Sequence, residues 1–208
     1  MREHIDTIPV WDSFRMGGEC PLCDLRHKTE TGYLEYFLGA SVMEPAERVE
    51  VNKNGFCTHH FAQMFAMQNR LGLALMVHTH LKTRIPNIKP KKKAEKTAQS
   101  CILCDRLANT MARYFYTTFY LWQHDKAFRK VFSESKGFCL PHYTELMDIG
   151  NKNEVFTNEL FHVEQENLNR LEQELEWFTL KFDYRNQDKP WGNSKDALER
   201  TIHKLVGT

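Results

Sequence analysis

The sequence predicts an all-α protein: two tandem helical-hairpin repeats, each closed by a Cys3His metal site, followed by a long helix and a short C-terminal helix. Three observations lead there. Cys20-Pro-Leu-Cys23 followed by Gly55-Phe-Cys57-Thr-His59-His60 returns as Cys101-Ile-Leu-Cys104 followed by Gly137-Phe-Cys139-Leu-Pro-His142. Apolar residues recur at spacings of three and four along much of the chain, the period of a helix with one buried face. No segment alternates polar and apolar residues for long enough to read as a strand.

The elements follow in order. Residues 1–19 read as an irregular arm, because Pro9, Gly17 and Gly18 interrupt any pattern, with Ile8, Val10, Trp11 and Phe14 to dock it on the core. A helix opens at Cys20, carried by Leu22, Leu25, Tyr33, Leu34, Phe37 and Leu38, and Gly39 and Pro45 close it. A short amphipathic piece, 45–51, leads into the turn Asn52-Lys-Asn-Gly55. One long helix then starts near Cys57, its apolar side built from Phe61, Met64, Phe65, Leu71, Leu75 and Leu81.

Between residues 82 and 100, Lys82, Arg84, Lys89, Lys91, Lys92, Lys93 and Lys96 face a single acid, Glu95, with Pro86 and Pro90 among them. No aromatic residue is interleaved for base stacking, so this stretch reads as a solvated linker and nucleic acid is not an expected partner. The expected organisation is therefore a first repeat with its arm over 1–88, a linker over 89–100 and a second repeat with the tail over 101–208.

Copy two repeats the plan. Tyr114, Phe115, Phe119 and Trp122 make an aromatic helix, a shorter one covers 124–132, and another opens near Leu140 with Pro141 in its first turn, where a missing N–H costs nothing. Phe161, Leu168, Leu171, Leu175, Phe178 and Phe182 step by three, four or seven and argue for one long helix from 154 to 183. Its other face carries Glu159, Glu164, Glu166, Glu172, Glu174 and Glu176 and reads as solvated, with a second role as the contact surface for a protein partner or another copy. Asn193 or Ser194 is expected to cap a last helix that buries Ala197, Leu198, Ile202 and Leu205.

Composition limits the function classes. The formal net charge of +1 gives no global field for nucleic acid or an anionic membrane. No apolar run has the length of a signal peptide or a membrane span, so a cytoplasmic location is expected, and there thiols stay reduced and paired cysteines favour metal over disulfides. All 6 cysteines fall in the repeated motif. Between the second and third cysteines of each copy lie 33 and 34 residues, an internal duplication.

Each copy offers three thiols and an imidazole: Cys20, Cys23, Cys57 and His60, then Cys101, Cys104, Cys139 and His142. This donor set suits a closed tetrahedral zinc site, so two zinc ions per chain are expected. Iron–sulfur clusters are the alternative, since they take cysteine chiefly and accept histidine. Both ligand pairs sit at helix starts, where free N–H groups and the helix dipole favour thiolate. Ligation within a copy is expected because consecutive helices need less loop closure, with Cys20 and Cys23 meeting Cys139 and His142 as the other pairing. Gly55 and Gly137 should bring backbone close to the metal at positive φ, and Phe56 and Phe138 should shield the sulfurs. Asp24 and Asp105 read as first-turn charges, with a role behind the ligands as the sharper alternative. A Cys-x-x-Cys redox pair would call for a βαβ pattern, which the sequence lacks.

The doubled motif, with Asp183-Tyr184-Arg185, Pro190-Trp191-Gly192 and Lys195-Asp196-Ala197 late in the chain, resembles an uncharacterised bacterial family of unknown function from Cys20 to Leu205. The resemblance implies a duplicated metal-site scaffold with the eight ligands named above, and it implies no activity. No Walker, G-x-S-x-G or G-x-G-x-x-G pattern and no catalytic constellation is recognisable. Three functions are left: a helical interaction or regulatory module with structural zinc, an iron–sulfur redox or electron-transfer protein, and a metalloenzyme acting near Asp24, His59 or Asp105.

Overall fold

A computed structural model describes residues 3–88 and 100–207. The described residues form α-helices and short 3-10 turns without a strand, so the all-α class holds. The helices are α1 (Glu3–Met16), α2 (Pro21–Leu38), α3 (Pro45–Asn54), α4 (Thr58–Ala66), α5 (Arg70–Arg84), α6 (Ile102–His124), α7 (Lys126–Ser133), α8 (Leu140–Gly150), α9 (Glu154–Leu180) and α10 (Ala197–Val206). Among the described residues no helix is long and apolar enough to cross a membrane. The Lys-rich linker reading, except for Ser100, lies outside the described residues. The chain forms two compact units, one of Met1–His27 with Met111–Thr208 and one of Lys28–Thr110. They are called here the flanking and the central unit, after their places in the sequence.

The flanking unit is packed around aromatic rings. Phe14 meets Phe128 edge-on at 4.8 Å, and Phe132 reaches Phe138 at 5.5 Å and Phe156 at 5.8 Å. Phe128, Phe132, Phe138 and Phe156 are fully buried, each gaining about 1.5–3 kcal/mol from leaving water. The expected irregular arm is in fact helix α1. Pro9 sits inside it and removes the bond to the carbonyl of Ile5, but Ile5 is exposed, so water can replace that bond. Against this loss, Val10, Ser13 and Phe14 are buried on one face and Trp11 packs on Phe128. Packing outweighs the proline.

In the central unit α3 packs on α5, and Phe56 lies between Phe37 at 5.1 Å and Phe61 at 5.5 Å. The single long helix expected after Cys57 is two, α4 and α5. Met67 is extended, and the Asn69 side chain accepts from the Gly72 N–H at 2.9 Å while donating to the Leu38 carbonyl at 2.6 Å. That cap starts a new helix in a new direction, which leaves Phe65, Leu71 and Leu81 exposed while Met64, Leu73 and Met76 are buried.

The long helix is present as α9, three residues shorter than expected and about 40 Å long. Its carboxylates are not one solvated face. Glu159 binds Arg129 at 2.6 Å and the Trp122 indole at 3.1 Å, Glu174 binds Arg200 at 2.6 Å, and Glu164 is buried. The apolar stripe is also partial, with Leu171 buried but Phe161 and Phe182 exposed.

Of the four residues expected to be buried on α10, Ala197 is, but the three aliphatic ones are not. Leu198, Ile202 and Leu205 are about half exposed, at 47%, 52% and 51%, while Lys204 is buried at 1%. The Lys204 ammonium donates to the Lys136 carbonyl at 2.5 Å and the Glu19 carbonyl at 3.2 Å, and lies 3.6 Å from Glu164. Burial of a fully partnered lysine thus fixes the face that the aliphatic stripe would otherwise choose. Asp196 occupies the N-cap without a capping bond, its carboxylate held by Arg200 at 2.9 Å. Ser194 instead donates to the Trp191 carbonyl at 2.6 Å.

Candidate metal centres

Cys57 and Cys139 are the N-caps of α4 and α8, and His60 and His142 follow three residues later in the first turn. That spacing points cap and imidazole the same way. Cys20 and Cys101 stand just before α2 and α6, with Cys23 and Cys104 inside the first turn. The structure brings all eight residues into two groups. Centre 1 holds Cys20, Cys23, Cys139 and His142, and centre 2 holds Cys57, His60, Cys101 and Cys104, with donor atoms within 4.8 Å of one another.

The two groups of donors are therefore each drawn from both sequence copies, and the within-copy pairing is corrected. Cys23 meets Cys139 across 116 positions. Lengthening a closed loop about 3.5-fold costs only about 1 kcal/mol, so loop closure is too weak to choose the partner. Where the helix starts are packed decides it. In centre 2 the N–H of Ile102 donates to the Gly55 carbonyl at 3.1 Å, and Ser100 Oγ donates to the Asn54 carbonyl at 2.9 Å, tying the approach to Cys57 to the start of α6.

The donor sets fit one ion each. Zinc bonds of about 2.3 Å to sulfur and about 2.0 Å to nitrogen place tetrahedral corners about 3.8 Å (S···S) and about 3.5 Å (S···N) apart. In centre 1, Cys23 and Cys139 Sγ are 3.5 Å apart, and His142 Nδ1 is 3.4 Å from Cys20 and 3.5 Å from Cys23. In centre 2, Cys57 and Cys104 Sγ are 3.8 Å apart, and His60 Nδ1 is 3.2, 3.2 and 3.4 Å from Cys57, Cys101 and Cys104. Both imidazoles turn Nδ1 to the sulfurs.

The electrostatics would suit a cation. Three thiols this close cannot all ionise side by side. Burial pushes the Cys20 thiol up, while hydrogen bonds from Cys139 and Cys20 hold Cys23 far below the usual thiol range. Burial and then Cys101 raise Cys104 to about 12. Burial would lower His142, but Cys139 and Cys23 outweigh it and raise the ring to about 9. A divalent ion at the centre removes the conflict by taking every thiol as thiolate.

The centres differ behind the histidine. His60 Nε2 lies 3.0 Å from Glu30 Oε1, a carboxylate that fixes the tautomer and leaves Nδ1 to face the sulfurs, and His59 lies 3.5 Å from the same oxygen. His142 packs on the Phe115 ring at 5.4 Å instead. Sequence reading missed Glu30 because the repeat gives no signal for it: the matching position in copy two is Met111. Asp105 is exposed, as a first-turn charge would be, whereas Asp24 is packed against Gly18 and burial raises its carboxyl.

Gly55 and Gly137 do hold positive φ, at 69° and 74°, but the space they save is not at the metal. A Cβ on Gly55 would meet the His80 ring at 2.9 Å, and one on Gly137 would meet Glu164 Oε2 at 2.6 Å. Glu164 Oε2 accepts from the Phe138 N–H at 2.7 Å and so holds the strand of chain leading to Cys139. The glycine beside the sulfurs is Gly207, at φ 73°, whose Cβ would lie 3.1 Å from Cys139 Sγ. Phe56 and Phe138 are buried beside the motif cysteines, covered by other rings.

A helical protein with two Cys3His groups, each close enough to hold a metal ion, is the class that fold and site define. The chain belongs to the family of unknown function DUF6062, whose profile matches it twice, over residues 1–99 and 89–208. Neither the curated proteins nor the solved structures contain a match.

Proposed function

We propose that the protein is a zinc-stabilised helical module that acts through contacts with other proteins, each Cys3His group holding one structural zinc ion. The observation that carries this reading is the size of the two donor sets, with edges of 3.2 to 3.8 Å. Such edges match one tetrahedral ion, whereas an iron–sulfur cluster seats two or more irons and spreads its ligands wider. Four protein ligands also fill a tetrahedral shell and leave no position for substrate, which favours a structural over a catalytic ion. The reduced state this requires agrees with six free cysteines. The outward side of α10, with Leu198, Ile202 and Leu205, supports the interaction half of the reading.

The test is elemental analysis of gently purified protein, with native mass spectrometry to count ions. Two zinc ions per chain are expected. Iron with acid-labile sulfide would replace this reading by the redox one, and a folded chain with no metal would remove it altogether.

A further inference from the structure

The two centres differ in access. In centre 1, Cys20, Cys23 and Cys139 are 0%, 2% and 0% exposed, and His142 is 9% exposed. In centre 2, His60 and Cys101 are equally shut in, but Cys57 is partly open and Cys104 is exposed. One corner of the second donor set therefore stands in solvent. Two sulfurs stand beside it, that of the buried Cys101 and that of the partly open Cys57, whose Sγ is 3.8 Å away. Once an ion holds both as thiolates, an exposed sulfur with a second, partly open sulfur at that distance is the arrangement that distinguishes a reactive cysteine pair from an inert buried one.

We propose that Cys104 is an oxidation site, attacked by peroxide-class oxidants, and that its modification releases the metal of centre 2 while centre 1 keeps its own. The proposal rests on the two-ion reading given above. In the first step the Cys104 thiolate attacks one oxygen of hydrogen peroxide. The S–O bond forms, the O–O bond breaks and hydroxide leaves, so sulfur loses two electrons and the peroxide gains them. In the second step the Cys57 thiolate attacks the sulfenic sulfur. The S–S bond forms, the S–O bond breaks and a second hydroxide leaves. Both hydroxides are neutralised by buffer acid, so two thiolates, one peroxide and two protons from the buffer give one disulfide and two waters. The ion is then left with Cys101 and His60 alone, too few to hold it. A dithiol reductant with zinc reverses the change. In centre 1 the same reaction lacks its first step, because no sulfur is open to the oxidant.

The experiment uses the full chain loaded with zinc and treated with hydrogen peroxide. Released zinc is followed with a chromogenic chelator, and peptide mapping locates the disulfide. One ion per chain should leave at least about tenfold faster than the other, in step with a Cys57–Cys104 disulfide, since oxidation follows thiolate exposure. Cys104→His keeps four ligands without an oxidisable sulfur at the open corner, and its centre 2 should resist at least about tenfold longer. As a measurement that needs no variant, limiting N-ethylmaleimide on the loaded wild type should label Cys104 before any other cysteine. A chain that loads two ions but loses both at one rate, or labels Cys20, Cys23 or Cys139 as fast as Cys104, overturns this proposal alone. A chain that loads no zinc overturns the two-ion reading, and this proposal with it.

Discussion

At the scale of single residues, reciprocal ligation makes a sharp statement about which thiols share a fate. Cys57→Ser should cost the chain one ion and free Cys101 and Cys104, not Cys20 and Cys23, for reaction with a thiol reagent. Cys139→Ser should free Cys20 and Cys23 instead. Metal content with cysteine-resolved labelling checks both, and release of the pair from the same copy would contradict the assignment. Gly137 carries a different kind of constraint. Its φ of 74° lies in the left-handed region, and any side chain would strike Glu164, the group that holds the Phe138 N–H. Gly137→Ala should therefore cost about 2 kcal/mol or more. Gly17→Ala, at φ 70° with open space around it, should cost no more than about 1–2 kcal/mol. Chemical unfolding of the two variants compares them.

Glu19 supplies the pH-dependent case. It is buried between Arg170 at 2.6 Å and Arg200 at 3.2 Å, with Lys136 at 3.9 Å. Burial alone would raise its carboxyl, but the Arg170 and Arg200 bonds outweigh it and hold the pKa below the ordinary 4.5. A depressed carboxyl contributes stability that is fully present above the unfolded value and disappears as pH falls through the folded one. Glu19→Gln should be less stable than wild type by about 3 kcal/mol near neutrality, and the gap should close only below about pH 4.5. A gap that stays constant down to pH 3 would mean the network contributes nothing through its charge.

At the scale of elements, burial and not periodicity separates what matters from what looks alike. Leu171 on α9 and Ile202 on α10 both sit in apolar helical stripes, but one is 2% exposed and the other 52%. Leu171→Asp should lose several kcal/mol, on the order of 3–5, because it buries a carboxylate without a partner. Ile202→Glu should leave the melting temperature of the monomer unchanged and should weaken any assembly that light scattering detects. The contrast also shows why the sequence reads well in some places and poorly in others. Most of the helices, the starts at Cys20, Cys57, Cys101 and Leu140, and the eight donor residues follow from local spacing, which a sequence displays directly. The direction of α10 follows from Lys204 finding two carbonyls and a carboxylate far along the chain, which no local pattern records. Helix α1 survives Pro9 through contacts with α7, and Glu30 serves only one copy, so repetition cannot reveal it.

At the scale of the whole molecule, the two sequence copies share their donor residues crosswise. Copy one gives Cys20 and Cys23 to centre 1 and Cys57 and His60 to centre 2, and copy two completes each set. Two identical chains that exchange an element across a two-fold axis lend each other parts in the same way, and here one peptide does both. The stretch 89–99 then resembles the tether of a bivalent binder, needed to bring lender and borrower together but not to keep them together. A protease cut there should leave a nicked particle that still elutes as one species with two ions. A strong chelator, applied to that nicked form, should weaken the hold between the two fragments, which the packing of Phe14 on Phe128 and the pairing of Glu19 with Arg170 and Arg200 still join. Between its copies the protein would thus carry rivets that chemistry can draw, set beside the aromatic packing and the Glu19 network as a further fastening.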